Sequence, residues 1–174
     1  MLFRSRIHDA FDAARIPHAF GGALALAWCT ERARGTIDID VNVFLSIDCL
    51  DEVIGALPRS VRVPDGARDE LREHGQSRLW WDTTPIDVFL NTTLFHEQVS
   101  ERARTETFAN RAIPFLACSD LAVFKAFCNR TKDWADLEEM IAAGTVDLSF
   151  VVGVITRLLG PSDERVSRLL TLDR

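Results

Sequence analysis

The run Ile-Asp-Ile-Asp-Val at residues 37–41 admits very few structures. Apolar and acidic residues alternate in it, and a period of two marks a β-strand with two unlike faces. On that pattern Ile37, Ile39 and Val41 enter a core, while Asp38 and Asp40 share the opposite face. Neighbouring carboxylates repel one another, so they require a cation or a shared proton. Upstream, His18–Phe20 reads as a short strand, Gly21-Gly22 as a turn, and the residues from Ala23 as a helix. Glycines ahead of a helix let the backbone approach a phosphate at the positive helix end. Neither Gly-Gly nor Asp-x-Asp says much alone. In this order, with strand, turn, helix and strand around them, they outline a phosphoryl-transfer site.

A chain of 174 residues can hold one full core, or one domain with a helical appendage. An apolar content of 47% with 26% charge is that of an ordinary globular protein. No apolar run is long enough for a membrane helix, so no membrane partner is expected. The opening MLFRSRIHDAF breaks into charge too early for a secretory signal, and a cytoplasmic protein is expected. Cys29, Cys49, Cys118 and Cys128 form no C-x-x-C pair, which reads as four free thiols in a reducing compartment. A net charge of −6 argues against general coating of nucleic acid, while leaving room for a local basic patch. Only Lys125 and Lys132 are lysines, and the arginine bias suits partners bearing phosphate or carboxylate.

Periodicity sets out the remaining elements. Residues 2–15 read as a helix with Phe3, Ile7, Phe11 and Ala14 on one face, stopped by Pro17. Cys49–Leu57 reads as a helix and Ser60–Val63 as a strand; residues 64–77 are a polar loop or surface helix. Arg78–Trp81 and Ile86–Asn91 form a hairpin around Asp82–Pro85, and Arg104–Phe115 forms a second, turning at Asn110-Arg111. From Ser119, a candidate helix cap, the pattern is helical to the end, with Leu148–Leu159 and Asp163–Leu170 split by Gly160-Pro161. The expected boundary lies between an α/β domain over 1–116 and a helical region over 117–174.

Several polar residues have two readings. Thr36 either binds a phosphate and orients a carboxylate, or simply enters the strand. Arg34 either reaches substrate or makes a structural ion pair. Asp87, alone among Ile, Val, Phe and Leu, is either solvent-facing or a partner of Asp38 and Asp40. Lys125 sits in so apolar a helix that it must snorkel or meet an anion. Asp133 and Asp136, one turn apart, either face a cleft or cap their helix.

Gly-Gly followed by Arg34-Gly-Thr36-Ile-Asp38-Ile-Asp40 resembles the nucleotidyltransferase superfamily. In the form R-x-T-x-D-I-D it is most similar to the AbiEii-type toxins, the group that includes MenT. The resemblance continues in D-L-x-x-x-K (Asp120, Leu121, Lys125) and R-x-K-D-x-x-D-L (Arg130, Lys132, Asp133, Asp136, Leu137), and covers roughly residues 18–140. It implies an α+β fold, a mixed sheet flanked by helices with a C-terminal helical bundle. It also implies Mg2+ or Mn2+ on Asp38, Asp40 and Asp87, with Asp87 as cage ligand or general base. Gly21-Gly22 would hold the phosphates of an NTP, Lys125 would contact a phosphate, and Asp133, or else Asp136, would complete the site. The acceptor it implies is RNA, at the tRNA 3′ end, with a cognate antitoxin as protein partner. Arg68, Arg72, Arg78, Arg102, Arg104, Arg130 and Lys132 are candidates for a basic rim that binds RNA, with steep salt dependence. Two alternatives share the motifs: adenylylation of an aminoglycoside or lincosamide, which an acidic chain suits, and a non-catalytic binding protein.

Overall fold

A computed structural model describes residues 2–32, 35–108 and 110–172. The chain forms two compact units, Met1–Leu24 with Gly35–Leu116, and Ala25–Arg34 with Ala117–Arg174.

In the first unit, helix α1 (Leu2–Ala13) precedes β1 (His18–Phe20) and the start of α2 (Gly22–Thr30). Strand β2 (Ile39–Ser46), α3 (Leu50–Ala56), β3 (Val61–Arg62) and α4 (Ala67–His74) follow. Then come β4 (Gln76–Trp81), β5 (Thr84–Asn91), α5 (Leu94–Val99), β6 (Arg104–Phe108) and β7 (Arg111–Phe115). The strands make one mixed sheet of seven, ordered β3-β4-β5-β2-β1-β7-β6. β2 runs parallel to β5 and antiparallel to β1, and β1 runs parallel to β7. Ile39, Val41, Ile86, Val88 and Leu90 are buried along the central strands, with Ile7 and Phe11 of α1 also buried. The first hairpin turns at Asp82, which takes a left-handed φ of 53°. That conformation fits the twist of a two-residue loop, so Asp82 shapes the turn.

The second unit is a helical bundle. It holds the larger part of α2, then α6 (Cys118–Cys128), α7 (Thr131–Ala142), α8 (Leu148–Leu159) and α9 (Glu164–Thr171). α6 packs on α7, α8 and α9, burying Leu121, Val123, Trp134, Leu137, Ile155 and Leu169. Trp134 is held from two sides: its Nε1 donates to Asn129 Oδ1 at 2.8 Å, and the Arg168 guanidinium lies 4.1 Å over its ring.

The structure corrects several expectations. Cys29 and Cys118, 89 residues apart, are joined in a disulfide, leaving Cys49 and Cys128 as the free thiols. Their spacing carries no local signal, because it is the packing of α2 and α6 that brings the two Cα atoms to 5.5 Å. α6 begins two residues early, with Ala117 as N-cap, and the Ser119 hydroxyl instead accepts from the Asp147 N–H at 2.9 Å. α1 ends at Ala13, and Ala14 is exposed. Ile37 is 76% exposed rather than core. Ladder pairing starts only at Ile39, opposite Ile86; ahead of it Asp38 N–H bonds the Thr36 hydroxyl at 3.2 Å, a local turn that ends the alternation.

His96, on α5, has its ring 5.9 Å from Phe44 and is 4% exposed. Burial pushes its pKa down from 6.5 to about 4, against the opposing effect of a hydrogen bond to the Leu90 backbone. The unfolded chain therefore binds a proton that the folded chain refuses. This contribution to stability is whole above pH 6.5 and is lost as pH falls toward about 4, a total of about 3 kcal/mol. Urea titrations at pH 7 and pH 5 should show the midpoint falling with pH, and falling less in His96→Phe. Equal slopes for the two proteins would refute the assignment.

Candidate functional site

The site grows from three neighbouring strands of the first unit. In the sheet register Asp40 of β2 stands beside Asp87 of β5, and Asp87 stands beside Arg78 of β4. Along β5 the residues Ile86, Val88 and Leu90 are buried, while Asp87, Phe89 and Asn91 on the other face are partly open. Strand alternation thus puts two carboxylates and one guanidinium in a row on the open face. Asp38 lies just before β2, within 3.6 Å of Arg78 Nη2.

The glycine turn closes one end of this row. Gly21 N–H donates to the Asp40 carbonyl at 2.9 Å, extending the β1–β2 pairing by one step. Gly22 then opens α2 with φ of 53°. A Cβ on Gly22 would stand 1.8 Å from Asp40 Oδ2, so the carboxylate lies directly over the glycine at the positive end of the helix. Only glycine allows that approach. Gly22→Ala combines a left-handed residue with a steric clash, and its expected cost is about 3 kcal/mol. Chemical denaturation checks this, and a variant as stable as the parent would show that the turn relaxes freely.

Arg78 is the dominant cation. Its Nε and Nη2 each donate to Asp87 at 2.7 Å, a bidentate fork. This hydrogen bonding with Asp87 raises the guanidinium's pKa further, with Asp38 and Asp40 adding Coulombic support. Arg4 of α1 is a second cation. Its Nη2 donates to the Thr36 carbonyl at 3.2 Å, and burial lowers its pKa while the charge of Asp40 opposes the shift. Thr36 braces the backbone of Asp38 and is not on the strand. Arg34 lies outside the described residues. Arg78 is among the residues expected on a basic rim, and Arg4 among none of the expected site residues; the pairing of β4 with β5 puts Arg78 at the carboxylates, whereas Arg4 carries no sequence signal.

Lys125, Asp133 and Asp136 come together within the second unit. Lys125 Nζ donates to Asp136 Oδ2 at 2.6 Å and lies 3.7 Å from Asp133 Oδ1, all three side chains being buried. Asp133 also accepts from the Arg130 backbone N–H at 3.3 Å, a bond of the helix cap, and from Arg130 Nε at 2.6 Å in an ion pair. The anion that the lysine needs is thus supplied by its own helix bundle.

Asp38, Asp40 and Asp87 offer hard oxygen donors, the chemistry of Mg2+ or Mn2+. Among the described residues no three His, Cys, Asp or Glu side chains form a ready metal cage.

No family model matches this chain, and no curated protein matches it. Among solved structures, the solution structure of the antibiotic-resistance factor ANT(2'')-Ia matches with a TM-score of 0.50 at 15% identity, over 95% of this chain and 85% of that one. ANT(2'')-Ia in complex with adenylyl-2''-tobramycin gives 0.49 at 13% identity, over 95% and 91%. The lincosamide antibiotic adenylyltransferase LnuA, with lincomycin bound, gives 0.46 at 13%, over 78% and 92%. At these identities the likeness is one of fold, and the first match carries it: a nucleotidyltransferase-like mixed sheet with helices, as the sequence motifs imply. Among the described residues no helix is long and apolar enough to cross a membrane.

Proposed function

We propose that this chain transfers a nucleoside monophosphate from an NTP to an RNA hydroxyl, the tRNA 3′ end foremost, as the toxin of a toxin–antitoxin pair. One observation carries the transfer chemistry: Asp40 and Asp87 stand side by side on β2 and β5, with Asp40 over Gly22 at the head of α2. Asp38, Asp40 and Asp87 would hold Mg2+ or Mn2+, which when bound neutralises charge gathering on the leaving pyrophosphate. The backbone at Gly21-Gly22 and the first turn of α2 face the β- and γ-phosphates. The acceptor hydroxyl attacks the α-phosphorus in line, and Asp87 takes its proton. Thr36 keeps Asp38 in place. The resemblance gives Lys125 a phosphate contact, for which a phosphate must compete with Asp136 and Asp133.

The form R-x-T-x-D-I-D favours the RNA acceptor. The arginines favour a second reading, a small cationic acceptor such as an aminoglycoside. Of the expected basic rim, Arg68 pairs with Asp51, Arg72 with Asp69, Arg78 with Asp87, Arg104 with Glu106 and Arg130 with Asp133. Those pairs, with a net charge of −6, leave little attraction for a polyanion.

Incubating the protein with each α-labelled NTP, Mg2+ and either total tRNA or an aminoglycoside–lincosamide mixture separates the two. Label on tRNA establishes the RNA acceptor and names the nucleotide. Label on the antibiotics alone moves the acceptor to a small molecule. NTP binding without transfer to either leaves a different acceptor class, and no NTP binding refutes the catalytic reading.

A further inference from the structure

We infer that Arg78 is an internal counter-cation that makes metal binding at the carboxylates depend on the nucleotide. The inference rests on the nucleotidyltransferase reading above and concerns the order in which that site fills. In the structure the guanidinium already does for these carboxylates what a divalent ion would do. It chelates Asp87 through two 2.7 Å bonds and reaches within 3.6 Å of Asp38. A divalent ion arriving alone meets a resident positive charge and must take Asp87 away from a bidentate partner. Wild-type affinity for the bare ion is therefore weak.

A nucleotide changes the balance. The planar fork that fits a carboxylate fits a phosphate equally well. Arg78 is also the more open partner: its side chain is 48% exposed, whereas that of Asp87 is 21% exposed. Of the two partners the arginine is therefore the one that can turn to an entering phosphate, while the aspartate keeps its place on β5. When a triphosphate enters with its ion, the fork passes from Asp87 to a phosphate oxygen, and Asp87 is released for the ion and for the acceptor's proton. Arg4, the other cation near Asp40, cannot make this exchange so easily, because it is half-buried and bonded to the Thr36 carbonyl. The result is positive coupling between metal and nucleotide, built from one side chain. Typical couplings are about 5–150-fold.

The test reads Mn2+ binding without nucleotide, from loss of the free-ion electron paramagnetic resonance signal. Arg78→Gln should bind Mn2+ alone about 10-fold or more tighter than wild type. Arg78→Lys, a cation without a fork, should lie between the two, and Arg78→Gln with Asp87→Asn should lose the gain. Equal or weaker Mn2+ binding by Arg78→Gln overturns the inference. A parallel equilibrium dialysis of each labelled NTP with Mn2+ reports on the underlying reading. If wild type binds an NTP but Arg78→Gln gains no Mn2+ affinity, the counter-cation role fails by itself. If Arg78→Gln gains Mn2+ affinity while wild type binds no NTP, the resident cation is confirmed as a metal competitor, and both the nucleotide-linked exchange and the transferase reading are overturned.

Discussion

Asp40→Asn is expected to lower nucleotide transfer by about 10²- to 10⁴-fold, while leaving the fold and its melting temperature close to those of the parent. The substitution separates charge from shape. The asparagine side chain has nearly the volume of aspartate, so it still lies over Gly22, where a Cβ would come within 1.8 Å of the carboxylate oxygen. The β2 ladder is untouched, since Asp40 pairs through its backbone with Asp87 and its carbonyl accepts from the Gly21 N–H. What disappears is one negative charge from the row of carboxylates, beside the glycine turn. A loss confined to turnover, with NTP affinity changed much less, marks an interaction made mainly in the transition state. Single-turnover transfer of label, read beside NTP binding, decides the matter. Unimpaired transfer by Asp40→Asn would end the carboxylate mechanism, whatever the acceptor.

Breaking the Cys29–Cys118 bond should produce the largest stability change. It closes a chain segment of 89 residues, and loop closure of that length removes entropy from the unfolded state worth about 4–5 kcal/mol. For a protein of this size each kcal/mol corresponds to about 2–4 °C, so reduction, or Cys29→Ser, should lower the melting temperature by about 10–15 °C. Cys49→Ser and Cys128→Ser, at the free thiols, should change it little. Calorimetry with and without a phosphine reductant makes the comparison, and thiol titration of the denatured, unreduced protein supplies an independent count. Two reactive thiols per chain agree with the bond; four would refute it, together with the expected shift.

The parts of this structure that were legible in the sequence are those written in local periodicity. His18–Phe20, Leu148–Leu159, both hairpins and the alternation of Ile39 and Val41 with Asp40 follow from apolar spacing and turn residues. Pairings across long separations were not legible. Cys29 and Cys118 carry no mark of each other, nor does Arg4 of its neighbour Asp40. Ile37 misled because a pattern of alternating residues continues past the point where hydrogen-bond partners run out. Asp87 stood out as a charge among apolar residues. Its partner was found nine positions away only once the β4–β5 register was known. α5, with polar residues beside Phe95 and Val99, gave no periodic signal strong enough to be read.

Helix α2 has one further consequence. It starts at Gly22 in the first unit, and its residues from Ala25 to Thr30 belong to the second. The second unit is therefore discontinuous in sequence, and no single cut of the chain divides one unit from the other. In genetic terms, the helices after residue 116 are not a cassette. Moved alone into another gene, they would arrive without the segment that carries Cys29, so the half-cystine at Cys118 would be left without its mate. Recombination that keeps the bundle whole has to carry two separate stretches of coding sequence, and one of them begins within three codons of the glycine turn.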